Sequence, residues 1–266
     1  MKLDQQISAA LERLRAAAPL IHCITNYVIA GDTANMLLAA GASAIMADDP
    51  SESAEITALA AGLTLNLGTP SANRIEAMLR SGEAANRRDI PVVFDPVGAG
   101  CSALRRNAVS ELTRRVKLSA VRGNLSELSY LAGFMVEERG VDAADTGISP
   151  LAAAEAAAKR LGCVCAVTGE QDVISDGSRA AVLKNGTPLL RSITGAGCMT
   201  SALCAAFISV SDPFTGTAAG IAFMDICGEA AAENSLGMGG FRAALFDAAG
   251  NITPNALAER LIIDEH

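Results

Sequence analysis

Val92-Val93-Phe94-Asp95-Pro96-Val97-Gly98 is an apolar run of strand length that ends, with no polar alternation, in a carboxylate and a turn. A strand with one wet face alternates apolar and polar side chains. An unbroken apolar run is buried on both faces, the condition of a strand inside a parallel sheet covered by helices. Residues 20–23, 44–46, 63–67, 120–122, 164–167 and 179–183 read as strands, most of them equally unbroken, and 33–40, 51–61, 71–86, 105–115, 124–132 and 150–161 read as helices between them. This alternation predicts an α/β fold with a mainly parallel central sheet and helices on both faces, a three-layer sandwich. Ligands in such sheets collect at the carboxyl ends of the strands.

The polar residues gather at those ends. Asp95 leaves one strand; Arg122-Gly123-Asn124-Leu125-Ser126-Glu127, Thr168-Gly169-Glu170-Gln171-Asp172 and Thr25-Asn26-Tyr27 leave three others. One polar exit means little, but four with glycines among them describe one convergent pocket. A fifth component is Ile193-Thr194-Gly195-Ala196-Gly197-Cys198, followed at once by the small-residue helical run Met199–Phe207. Gly195 and Gly197 let backbone N–H groups approach a ligand, and the helix start adds unpaired N–H groups and a partial positive charge. That is an anion hole beside the reactive side chain of Cys198, a setting for phosphoryl transfer. After Thr194 the pattern is almost wholly helical through Ala232. A glycine-rich turn, Gly237-Met238-Gly239-Gly240, then precedes a last helix near 254–261.

Composition narrows the function. A chain of 266 residues buries roughly 70–75% of its unfolded surface, so residues 1–266 form a single domain with one core. With no Trp, two Tyr and seven Phe, that core is built from aliphatic side chains. The net charge of −8 argues against nucleic-acid or anionic-membrane partners, which need clustered Lys and Arg. Seven Cys without a C-x-x-C pair, and His only at 22 and 266, give neither a zinc site nor a disulfide framework, and imply a reducing cytoplasm. His22, inside an apolar strand, reads as a hydrogen-bonded core residue. Residues 1–20 carry Ile7, Leu11, Leu14 and Ala18 at helical spacing, interrupted by charges, which makes an amphipathic helix and neither a signal peptide nor a membrane span. The lack of G-x-x-x-x-G-K-[ST] excludes an ordinary P-loop kinase.

The ordered strings Pro19-Leu-Ile-His-Cys-Ile-Thr-Asn26, Met46-Ala47-Asp48, Asp95-Pro-Val-Gly98, Arg122-Gly-Asn-Leu-Ser-Glu127, Val167-Thr-Gly-Glu170 and Thr194-Gly-Ala-Gly-Cys198 closely resemble the hydroxyethylthiazole kinase family, from about residue 19 to the last helix. The resemblance implies a ribokinase-like fold and transfer of the ATP γ-phosphoryl group, with Mg²⁺, to the primary alcohol of 4-methyl-5-(2-hydroxyethyl)thiazole in thiamine salvage. It also implies a homotrimer whose active sites lie between subunits. Asp95 and Glu127 then serve the metal, and Arg122, Thr168, Asp95 and Asn124 the nucleotide. Asn26, Met46 and Gly195 serve the thiazole, while Gly195, Gly197 and Cys198 stand at the transferring group.

Each role competes with a plainer one. Asp95 could cap an Asx turn before Pro96, and Glu127 could satisfy a helix dipole. Met46 could be ordinary core, and Cys198 a small thiol chosen for fit. Most ribokinase-like kinases place aspartate where this chain has Cys198. A thiol at a helix N-terminus is expected to have a lowered pKa, yet it accepts hydrogen bonds poorly, so Cys198 reads as a weak assistant beside the substrate hydroxyl. Two alternatives come from other classes: a sister kinase for a hydroxymethylpyrimidine, differing at Asn26 and Met46, and a non-catalytic nucleotide-binding sensor. Asp95, Glu127 and Arg122 together favour working Mg-ATP chemistry.

Overall fold

A computed structural model describes residues 2–134 and 147–266. Its centre is a nine-stranded sheet in the order β2-β1-β3-β4-β5-β6-β7-β8-β9. The strands are β1 (Leu20–Ile24), β2 (Ser43–Ile45), β3 (Gly62–Asn66), β4 (Val92–Asp95), β5 (Ala120–Gly123), β6 (Val164–Val167), β7 (Asp172–Ser175), β8 (Ala180–Leu183) and β9 (Ile263–Glu265). Pairing is parallel from β2 through β6 and antiparallel from β6 to β9.

In place of the one core expected from length, alternate strand residues feed two cores, one on each face of the sheet, because a sheet covered on both sides separates its helical layers. Ile21, Cys23, Val93, Ala120, Ala166 and Ile174 point into one; Ile24, Val92, Phe94, Val121, Cys165 and Val173 point into the other. Helices cover both faces, which is why the strands are continuously apolar. The first core is closed by α1 (Leu3–Ala17), α2 (Ala30–Ala40), α8 (Ala196–Ile208), α9 (Pro213–Glu233), α10 (Met238–Asn251) and α11 (Pro254–Arg260). The second is closed by α4 (Ala72–Asn86), α5 (Ala103–Arg115), α6 (Leu125–Ala132) and α7 (Pro150–Leu161). The expected amphipathic N-terminal helix is α1, with Ile7, Leu11 and Leu14 fully buried.

The structure departs from the sequence pattern in five places. The helix expected over 51–61 is only α3 (Ser53–Thr57), because Ala61 already donates its N–H to Leu20 O at the head of the sheet. The long helical stretch after Thr194 breaks at Asp212, whose carboxylate accepts the N–H groups of Phe214 and Thr215 and so starts α9 afresh. Met238, Gly239 and Gly240 are not a turn but the first turn of α10: Phe241, Leu245 and Ala249, one buried stripe, hold glycines in a helix they would not choose alone. Asp172 begins a strand rather than a loop, since β6 and β8 supply ladder partners on both sides of β7. β9 forms only because β8 offers it an edge.

Candidate active site

Asp95 ends β4, directly across the ladder from Asn66 at the end of β3. It is 1% exposed. Its Oδ2 accepts hydrogen bonds from Asn66 Nδ2 and Ser201 Oγ, each at 2.8 Å, and no protein donor among the described residues reaches Oδ1. Burial pushes its pKa up to about 6, against the pull of Arg122 and with a further push from Glu127. Asp95 is therefore a hydrogen-bonded strand-end carboxyl, and its role is not confined to a turn.

Glu127 does stand at a helix start. Asn124 caps α6, its Oδ1 accepting Glu127 N–H at 2.9 Å, and Glu127 Oε2 returns to Asn124 N–H at 2.8 Å. Its Oε1 accepts Gly98 N–H at 2.9 Å, tying the turn after Asp95 to α6. The Asp95–Glu127 pair is not a preformed metal cage: among the described residues no three His, Cys, Asp or Glu side chains are grouped to hold an ion. Two carboxyl groups, one with a spare oxygen, are nonetheless a donor set that suits Mg²⁺, an ion that takes one or two carboxylates and keeps water among its other ligands.

Arg122 lies at the end of β5 and donates from Nη2 to Thr168 Oγ1, at the end of β6. Its Nε is buried with no partner among the described residues. The guanidinium rests against the helix start: a Cβ on Gly197 would lie 2.5 Å from Arg122 Nη1. Gly195 precedes α8 at φ +86°, and a Cβ there would lie 2.3 Å from Ile29 Cγ2. Glycine is required at both positions, at Gly195 by backbone sign and space, at Gly197 by the arginine.

Cys198 occupies the first turn of α8 and receives a hydrogen bond from Asn26 Nδ2 at 3.4 Å. The same amide donates to Asn66 Oδ1 at 3.1 Å. Hydrogen bonds thus run from Cys198 through Asn26 and Asn66 to Asp95, and back to α8 through Ser201. The expected lowering of the thiol pKa is overturned. Burial, reinforced by the Asp95 charge, pushes it up to about 12 against the pull of Asn66, Arg122 and Asn26, so Cys198 is a neutral thiol.

Beside this network a cleft of about 610 Å³ is lined by Arg122, Thr168, Gly195 and Gly197, with apolar walls from Leu190 and Met224. Asn26, Asp95, Asn124, Glu127 and Cys198 do not line it. Met46 does not either: it follows β2, 38% exposed, and so is not core. His22 is core, with both ring nitrogens hydrogen-bonded, to Thr57 Oγ1 and Ala47 O at 2.8 Å. Sequence reasoning passed over Asn66, Ser201 and Arg105. Asn66 is an amide in an apolar strand and Ser201 lies one turn beyond Cys198, signals that were present. Arg105 gave none. From α5 it donates to the carbonyls of Leu67, Gly68 and Val97, stitching together the exits of β3 and β4.

A family model described as the hydroxyethylthiazole kinase family matches residues 11–255. The chain belongs to that family. It is 46% identical to the hydroxyethylthiazole kinase of Ruminiclostridium cellulolyticum, with 98% of each chain covered. Its structure is similar to that of the hydroxyethylthiazole kinase protein from Pyrococcus horikoshii OT3, at a TM-score of 0.90 and 34% identity over 98% of each chain. A ribokinase-like superfamily protein from Enterococcus faecalis V583 shares only the fold, at a TM-score of 0.65 and 11% identity over 96% of each chain. As a member of the hydroxyethylthiazole kinase family, with a ribokinase-like fold, this protein is a kinase.

Proposed function

We propose that this protein transfers the γ-phosphoryl group of ATP to the primary alcohol of 4-methyl-5-(2-hydroxyethyl)thiazole, the salvage step that returns the thiazole to thiamine synthesis. The observation that carries the proposal is the continuous hydrogen-bonded path from Asn26 and Cys198 to Asp95 at the mouth of α8, with Arg122 alongside. It links the side that resembles the family's alcohol site to the side that resembles its phosphate site.

The nucleotide occupies the cleft of about 610 Å³, its phosphates towards Arg122 and the start of α8. Arg122, oriented by Thr168, grips phosphate oxygens through its guanidinium fork. Asn124, with Oδ1 used by the cap, offers its Nδ2 to the nucleotide. Asp95 and Glu127 hold Mg²⁺, which neutralises charge on the phosphates when bound. The N–H groups from Gly195 to Cys198 face the negative charge of the transferring group. Asn26 and Met46 form the thiazole side, and Cys198, uncharged, orients the alcohol rather than removing its proton. Phosphoryl transfer tolerates this, because a loose transition state needs little proton abstraction before the barrier.

Met46, Tyr27 and Val28 are exposed at the exits of β1 and β2, beside Asn26. An exposed apolar group next to a half-built substrate site supports a homotrimer in which the neighbour completes the pocket. Among the described residues no helix is long and apolar enough to cross a membrane. The proposed enzyme works in the cytoplasm as a single domain. The test is ATP consumption with the thiazole alcohol, with a hydroxymethylpyrimidine, and with no acceptor, the product identified by mass spectrometry. Thiazole-dependent turnover with formation of its phosphate is expected; pyrimidine-selective turnover, or none above the no-acceptor rate, overturns the proposal.

A further inference from the structure

Two carboxyl groups that the phosphoryl-transfer chemistry does not use meet on the wall of the cleft. Asp172 opens β7, Asp225 lies within α9, and both line the cleft. Asp172 is 5% and Asp225 8% exposed, and their carboxyl groups are within hydrogen-bonding reach of each other. Asp172 Oδ1 accepts Gly169 N–H at 2.9 Å, which anchors the Thr168-Gly169 turn against which Arg122 is oriented. Asp225 Oδ2 is buried and has no donor among the described residues.

A buried acceptor without a donor is costly, and two carboxylates in contact away from water repel each other; one proton between them removes both defects. The surroundings do not remove them otherwise. Arg122 at the end of β5 and Arg191 in the short helix Pro188–Ser192 draw the pair towards ionisation, but burial outweighs them. Glu229, one turn along α9, adds negative charge, as does Glu170 on the cleft wall. Cys204 on α8 and Cys227 on α9 are thiols kept neutral by burial.

We propose that Asp172 and Asp225 share one proton and together act as a positioning pair for the nucleotide. The Asp225 carboxyl donates its O–H to Asp172, which stays ionised and holds Gly169 N–H, so the Thr168-Gly169 turn and Arg122 are set before ATP arrives. Losing the proton places two negative charges side by side in the cleft that must accept a polyphosphate, and it loosens the turn. The inference rests on the nucleotide lying in this cleft.

The experiment compares wild type, Asp225→Asn and Asp172→Asn, as full chains, by calorimetric binding of ADP from near-neutral to alkaline pH. Carboxyl ¹³C NMR of aspartate-labelled protein accompanies it. In either variant the amide supplies a permanent donor within the pair. Wild-type affinity should fall about tenfold per pH unit once the pair titrates, as loss of one proton requires, whereas both variants should bind ADP with affinity independent of that titration. NMR should show one aspartate carboxyl that titrates well above the usual carboxylate range and is missing from Asp225→Asn; the Asp95 signal remains in both. Absence of that signal in wild type overturns the shared proton, whether or not the variants fold. Parallel affinity profiles for wild type and variants overturn the positioning role while leaving the cleft assignment intact. No ADP binding by wild type at any pH overturns the cleft assignment itself, and the positioning role with it.

Discussion

Gly197 is where the helix start touches Arg122, the arginine proposed to grip phosphate. A methyl group there would press on Arg122 Nη1, the far end of a flexible side chain, so the arginine rather than the backbone must move. Gly197→Ala should therefore fold normally but raise the KM for ATP by about one to two orders of magnitude, the effect of losing ~1.5–3 kcal/mol of charged hydrogen bonding. A KM unchanged in steady-state kinetics would remove Arg122 from the phosphate site. Cys198 invites the complementary test. A general base lost by mutation costs roughly 10²–10⁴ in rate, whereas a neutral thiol that only orients the alcohol costs less. Cys198→Ala should keep measurable turnover, with a loss smaller than about 100-fold, and Cys198→Asp should match or exceed wild type in kcat. If both variants are inactive at saturating Mg-ATP, the thiol itself is essential.

At the scale of one element, the first turn of α6 carries a helix cap and, as proposed, a nucleotide contact. Asn124 caps the helix through Oδ1 and has Nδ2 to spare, so its two substitutions separate the functions. Asn124→Ala should lower stability by about 1 kcal/mol, a shift of roughly 2–4 °C in Tm. Asn124→Asp keeps the cap acceptor and exchanges the donor for a negative charge beside Glu127: its Tm should stay within a few degrees of that of wild type while the KM for ATP rises about two- to tenfold. Equal ATP kinetics in Asn124→Asp and wild type would leave Asn124 as a cap alone. Arg105 is the counterpart on α5, since it holds three loop carbonyls beside Asp95.

For the whole molecule, the prediction concerns assembly. The proposed thiazole side of the site lies at the exits of β1 and β2, where Tyr27 is 74% exposed, while the cleft is built from later elements of the same chain. Light scattering should give a mass near three times 27.2 kDa. Tyr27→Asp, which puts a charge in the exposed apolar group, should shift the protein towards a monomer and raise the KM for the thiazole more than that for ATP. A fully active wild-type monomer at assay concentration would refute trimeric completion of the site.

The sequence by itself determined the layers and the strand exits. Short unbroken apolar runs such as 92–94, alternating with helical stretches, point to double-sided strands, and a glycine pair at the start of a small-residue helix points to a tight turn or a close backbone approach, so Asp95, Arg122, Thr168 and the Gly195–Cys198 turn stand out from local pattern. The tertiary structure decided whatever depends on partners distant in sequence. β7 and β9 exist because neighbouring strands offer ladder bonds, and α10 keeps its glycines because Phe241, Leu245 and Ala249 are buried against other helices. The direction of the Cys198 pKa shift does not follow from its helix position, because burial and Asp95, 103 residues away in sequence, dominate it. Arg105, Asn66 and the Asp172–Asp225 pair acquire their meaning in the same way, from contacts that no local spacing encodes.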